Sequence, residues 1–123
     1  LFELNNVNWI VITKDIKNEK ENILNKYNVK YFGKDIDNEK TFYDSISIIR
    51  KVKGLISTDT SLVHLSANLN VPTCVLLTLG CEWRWNNDCT NWYPNLKLFR
   101  QKELGKWNLV IENVIKYIKV DCI

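Results

Sequence analysis

Gly54-Leu55-Ile56-Ser57-Thr58-Asp59-Thr60-Ser61-Leu62-Val63-His64-Leu65 is the stretch that decides how this chain folds. The apolar start, Gly54 to Ile56, reads as a strand. Four consecutive hydroxyl or carboxylate side chains, Ser57 to Thr60, follow it. Ser61 then opens a helix with Leu62, Leu65 and Leu69 on one face. A strand that runs straight into a helix start places polar groups and free N–H donors at the carboxyl edge of a sheet. In open α/β folds that edge is where ligands sit, and the helix end favours an anion.

Working outward, Asn70 closes this helix and Pro72 prevents its continuation. Thr73 to Leu79 is the next strand, residues 80 to 95 a long loop, and Leu96 to Phe99 a further strand. Trp107, Val110, Ile111, Val114, Ile115 and Ile118 give a final helix. Upstream, Trp9-Ile10-Val11-Ile12-Thr13 reads as a strand buried on both faces. Ile16, Ile23, Leu24 and Tyr27 follow at helical spacing. Val29 to Phe32 is a second strand ended by Gly33, and Lys34 to Lys40 is a loop. Phe42, Ile46, Ile49 and Val52 mark another helix, stopped by Gly54. Strands alternate with helices, which predicts an α/β domain with a parallel sheet of about five strands covered on both faces.

The chain has 123 residues, one domain by length, residues 1-123. Its 46% hydrophobic and 25% charged content is ordinary for a globular protein. The net charge is +3 and the lysines are dispersed, so nothing points to nucleic acid; a mild preference for a small anion is all the charge supports. Cys74, Cys81, Cys89 and Cys122 match no zinc or redox spacing. Cys74 lies in an apolar strand and reads as a buried thiol. Cys81 and Cys89 share a loop, so a bridge or a metal there is the alternative to reduced thiols. No secretory signal and no apolar run near 18 residues is present, which leads us to expect a cytoplasmic protein. The chain begins at Leu1 and not Met, as a fragment would.

Two readings of the central segment stand side by side. In one, Thr60 and Ser61, with the free N–H groups of the helix, cradle a phosphate. His64, four residues beyond Thr60 on the same side, donates to a phosphate or sugar hydroxyl, and Asp59 takes a ribose or sugar hydroxyl. In the other, Asp59 or Thr58 merely caps the helix and His64 is a core histidine. The loop at 80 to 95 carries Trp83, Arg84, Trp85, Trp92 and Tyr93, and loops of that length are often functional. Indole faces stack on sugars and bases, and Arg84 offers a cationic fork. The competing role for these tryptophans is a satellite core, favoured for Trp92 and Trp107 over Trp83 and Trp85. Lys14 and the turn Gly33 to Asp35 lie at the same strand edge, and Arg100 is a second candidate cation. No catalytic triad, G-x-G-x-x-G, P-loop or H-E-x-x-H can be assembled.

Five segments in order, with a sixth upstream of them, resemble one family. Thr58-Asp59-Thr60-Ser61-Leu62-Val63-His64-Leu65 is similar to the D-T-x-x-x-H-L signature of glycosyltransferase family 9, the heptosyltransferase-like enzymes. Glu82-Trp83-Arg84-Trp85, Trp92-Tyr93-Pro94, Leu98-Phe99-Arg100-Gln101 and Gly105-Lys106-Trp107 resemble a subgroup often attached to tetratricopeptide repeats. Phe42-Tyr43-Asp44-Ser45 is similar to its F-x-D-T segment. The resemblance covers about residues 29 to 118. It implies the C-terminal, Rossmann-like half of a GT-B enzyme. A nucleotide-diphosphate sugar would contact Asp59, Thr60, Ser61 and His64, with Lys14, Trp83, Arg84 and Trp85 as further contacts. By the same resemblance no metal and no cofactor are needed. The catalytic base would lie in an N-terminal domain that is not in this chain, and no catalytic residue is expected here. The acceptor would be a glycan or a lipid. Two departures stand out: His64-Leu65-Ser66 replaces H-L-A, and Gly105-Lys106-Trp107 replaces G-D-W, so no role for that acid carries over. A non-catalytic nucleotide-, sugar- or protein-binding module is the alternative, and self-association through an open half-cleft is a further expectation.

Overall fold

A computed structural model of the chain describes residues 1–4, 7–14, 16–39, 41–80, 83–85 and 90–121. They divide into two compact units, Leu1–Ser45 and Ile46–Ile123. The elements are β1 (Ile10–Val11), α1 (Asn18–Lys26), β2 (Lys30–Tyr31), α2 (Tyr43–Ile49), β3 (Leu55–Thr58), α3 (Ser61–Asn68), β4 (Thr73–Leu77), β5 (Leu96–Arg100) and α4 (Asn108–Asp121), with a 3₁₀ turn at Trp83–Trp85.

The α/β class and the parallel pairing stand, but the expected single sheet of five strands does not form. The strands make two sheets, β1-β2 and β3-β4-β5, all parallel. The physical reason lies in the first two strands. Ladder pairing spans only Ile10 with Lys30 and Val11 with Tyr31. Lys30 interrupts the apolar run of β2, and Ile10, expected to be buried on both sides, is 37% exposed.

In the second unit β4 is the centre, paired to both neighbours. Its alternation sorts the packing into two faces. Val75 and Leu77 join Val63 and Ala67 of α3, Leu96 of β5 and Trp85 in one buried cluster. On the opposite face Phe99 of β5 meets Tyr117 of α4 at 5.7 Å, and Lys97 Nζ lies over the same ring. Val110, Val114 and Ile118 form the buried stripe of α4 at intervals of one turn. Asn70, in the left-handed region at φ 56°, terminates α3, as the sequence indicates. A hydroxyl knot fixes the turn from α3 into β4. Ser66 Oγ and Thr73 Oγ1 are 2.6 Å apart, Thr73 Oγ1 donates to Val71 O, and Asn95 Nδ2 donates to Ala67 O and Val71 O.

In the first unit Leu24, Val29 and Ile36 are the buried apolar residues. Asn28, at φ 51°, follows the end of α1. Gly33 lies against the backbone: a Cβ there would sit 2.1 Å from Thr13 O and 2.5 Å from the Tyr31 ring. The start of α2 is held by Asp37. Its Oδ1 accepts from the amides of Asp44 (2.8 Å) and Ser45 (3.3 Å), and its Oδ2 accepts from the Ser45 hydroxyl. The Asp37 amide in turn donates to Asp44 Oδ2 at 2.8 Å. Burial pushes the Asp37 carboxyl up, but these bonds and the nearby Lys14 charge outweigh it and hold it below its ordinary value.

Candidate functional site

The carboxyl ends of β3 and β4 open onto a cavity of about 290 Å³. Thr58 and Asp59 line it from β3, Leu76, Leu77, Thr78 and Gly80 from β4, and Trp107 from the approach to α4. Thr58 pairs in register with Leu76, so both belong to the α4 face of the sheet. A second cavity of about 310 Å³ adjoins the connection between β5 and α4, with Lys102, Lys106 and Asn108 in its wall; Trp107 borders both.

Beside the first cavity, α3 begins without a side-chain cap. Thr60 is the N-cap in extended geometry, φ −139° and ψ 169°, but its hydroxyl makes no bond to the helix amides. It sits 3.0 Å from the Ser57 hydroxyl, which donates to Thr58 O. No acidic side chain occupies the first turn of α3. The Val63 amide donates to Thr60 O at 3.0 Å, so the amides ahead of it, those of Ser61 and Leu62, are the ones open to solvent or to a ligand. The capping role weighed for Thr58 and Asp59 is not taken up. Asp59, Thr60 and Ser61 are all exposed.

The remaining expected contacts are distributed differently. His64 is half-buried on α3, facing the other side of the sheet. Its Nδ1 lies 3.1 Å from the Tyr93 hydroxyl, and its ring stacks on Trp85 at 5.8 Å. Trp85 itself is 1% exposed, inside the buried cluster. Trp83, two residues earlier, is 66% exposed and meets the equally open Trp92 edge-on at 5.9 Å. Arg84 is half-buried. Arg100 donates from Nη2 to Trp85 O, which ties the 3₁₀ turn to β5. Lys14 belongs to the first unit, where its Nζ donates to Asp37 O at 3.2 Å. Cys74 is buried as expected, and burial pushes its thiol up to about 12. Cys81, Cys89 and Glu82 lie outside the described residues. Among the described residues no cluster of His, Cys, Asp or Glu could hold a metal, and no helix is long and apolar enough to cross a membrane.

The structure thus brings Asp59 to a cavity beside an uncapped helix start, and it adds Thr78, Gly80 and Trp107, which sequence reasoning did not place there. Trp107 had a signal, the Gly105-Lys106-Trp107 segment. Thr78 and Gly80 had none beyond following an apolar strand. Compared with protein-family models, with curated proteins and with solved structures, the chain matches none.

Proposed function

We propose that this chain carries the donor-binding part of a glycosyltransferase of GT-B type, heptosyltransferase-like and cytoplasmic. It would hold a nucleotide-diphosphate sugar for transfer to a hydroxyl of a glycan or lipid acceptor. The reading rests above all on the unfilled N-terminal end of α3, which sits beside a cavity walled by Asp59 and Trp107 at the strands' carboxyl ends. The charge of the second unit agrees with it. Residues 46–123 carry ten of the seventeen Lys and Arg but only six of the fourteen Asp and Glu, which favours an anionic ligand. The α3 amides and nearby cations would take the diphosphate, and Asp59 a vicinal diol. Stabilising a departing diphosphate in this way needs no proton transfer from the site.

One observation favours binding without turnover by these residues alone. The chain's histidine is engaged with a tyrosine hydroxyl and an indole ring, with no carboxylate bonded to it among the described residues. The general base would then come from a separate domain that also binds the acceptor.

Calorimetry with nucleoside diphosphates tests the reading. Thr60→Pro would reshape the helix start, so the informative variants are Asp59→Asn and Ser61→Glu. The first is expected to weaken binding about tenfold, the loss of one charge-assisted bond near 1.4 kcal/mol. The second places a negative charge at the helix end and is expected to abolish binding. Unchanged affinity in both variants rejects the site.

A further inference from the structure

Lysines that are dispersed along the chain are gathered by the fold. Ten Lys and Arg belong to residues 46–123. Arg84, Arg100, Lys102 and Lys106 lie toward the carboxyl ends of the strands, on the side of the donor cavity. The other six, Arg50, Lys51, Lys53, Lys97, Lys116 and Lys119, lie at the opposite edge, and all six are exposed. Arg50, Lys51 and Lys53 lead into β3, whose first residue Leu55 pairs with Thr73, itself paired with Leu96 beside Lys97. Two strand spacings, about 10 Å, separate β3 from β5. Lys97 Nζ lies 5.9 Å from the centre of the Tyr117 ring, which brings the second half of α4 over the start of β5. Lys116 and Lys119 stand on either side of Tyr117 within one turn. Two acids of α4 share the region, Glu112 one turn before Lys116 and Asp121 at the last position. None of the six cations forms an ion pair with a described carboxylate. Helix ends attract cations, which accounts for Lys119 in the last turn of α4 and Arg50 behind α2. It does not account for Lys53, on the approach to β3, or for Lys97 within β5.

We infer that this edge rests on the surface of an anionic lipid bilayer. Clusters of about four to eight Lys and Arg are what anionic headgroups collect. Lysine supplies five of the six charges. A compact ammonium suits a fluid field of headgroups, whereas nucleic acid is gripped by arginine forks and stacking aromatics. The ring among these cations, Tyr117, is half-buried between Lys97 and Phe99 and is not open to a base. Val120, 78% exposed and four residues beyond Lys116 on the same side of α4, adds an apolar contact for the interface. The inference is independent of nucleotide binding. In this orientation the cavity at the far ends of β3 and β4 opens away from the lipid, where a water-soluble donor reaches it.

The test is co-sedimentation of the 123-residue chain with vesicles of phosphatidylcholine, with and without about a third phosphatidylglycerol. We expect at least tenfold tighter binding to the anionic vesicles, lost when salt is raised to about 0.5 M. Equal binding to both kinds of vesicle overturns the inference. Lys53→Gln, Lys97→Gln and Lys116→Gln together should weaken anionic-vesicle binding tenfold or more. Lys17→Gln, Lys20→Gln and Lys26→Gln together remove the same charge from the smaller unit and should change it less than twofold. Similar losses in the two variants would mean that net charge binds and not this edge, and would overturn the inference. Tighter binding to a single-stranded oligonucleotide than to anionic vesicles would assign the edge to nucleic acid and overturn it too. Should the first variant not fold, the native chain is acetylated with and without anionic vesicles. Protection of Lys51, Lys53, Lys97, Lys116 and Lys119, with none at Lys17, Lys20 and Lys26, supports the inference. Uniform protection or the reverse pattern refutes it.

Discussion

The two compact units are built from the same alternation of strand and helix, yet they use it differently. In Ile46–Ile123 the central strand β4 has a partner on each side and a helix over each face, and four of its five residues are buried. In Leu1–Ser45 two strands share a ladder of two residues, and Ile10, Ile23 and Phe32 remain exposed. The apolar residues at 0% exposure, Ile49, Val63, Val75 and Val114, all fall in the larger unit; in the smaller one the best-buried aliphatic side chains stay at 6%. The contrast teaches that an apolar β-branched run becomes a core strand only when both of its edges are paired. Where pairing is short, tight local devices hold the chain instead: the Gly33 approach and the Asp37 cap.

The contrast can be broken most severely at Trp85. Trp85→Ala removes the largest buried side chain of the second unit and should cost about 3–5 kcal/mol in chemical denaturation. Trp83→Ala, two residues away and open to solvent, should change stability by no more than about 0.5 kcal/mol. Equal effects would dissolve the distinction between core and surface indoles. Next in size, Gly33→Ala forces a methyl against the Thr13 carbonyl. A loss of about 1–3 kcal/mol is expected, with amide exchange accelerated in residues 1–45 before residues 46–123. Asp37→Ala should cost about 1 kcal/mol through the lost α2 cap.

The same residue gives the smaller unit an acid sensitivity. The folded value of Asp37 lies below its ordinary 3.8, so its contribution is present above that pH and fades as pH falls through the lowered value. Amide exchange near α2 should rise below about pH 4 in the native chain and lose that dependence in Asp37→Asn. The last test concerns Cys74. Its thiol is raised by burial from 9.0 to about 12, so the folded form favours the neutral thiol. That contribution is complete below pH 9 and declines between 9 and 12. At pH 8 iodoacetamide should label Cys74 at the rate of global opening, and labelling as fast as a free thiol would contradict its burial.

Much of the element order was legible because it rests on local signals: alternating apolar runs, Asn70 and Pro72 after α3, and the i, i+4 stripe of α4. Sheet membership was not, since it depends on which edges meet, and nothing within Trp9–Thr13 records that. The fate of the tryptophans was equally hidden. A 3₁₀ turn rotates neighbours by about 120°, so Trp83 and Trp85 point to different surroundings although spacing treats them alike. Trp92, for which a core role weighed more than for Trp83 or Trp85, is open. Of the candidate site, Asp59 and the α3 start followed from a strand-to-helix junction. Thr78 and Gly80 did not, because nothing beyond an apolar strand before them marks them as cavity wall.

The joined hydroxyls of Ser66 and Thr73 bind two distant letters of the chain into one decision. Thr73→Val leaves the Ser66 hydroxyl only a 3.5 Å approach to Val71 O in a dry interior; replaced together, both demands for a proton or a lone pair vanish at once. Descendants of this sequence should therefore exchange the two positions as a couplet, a pattern of inheritance written by a single 2.6 Å contact.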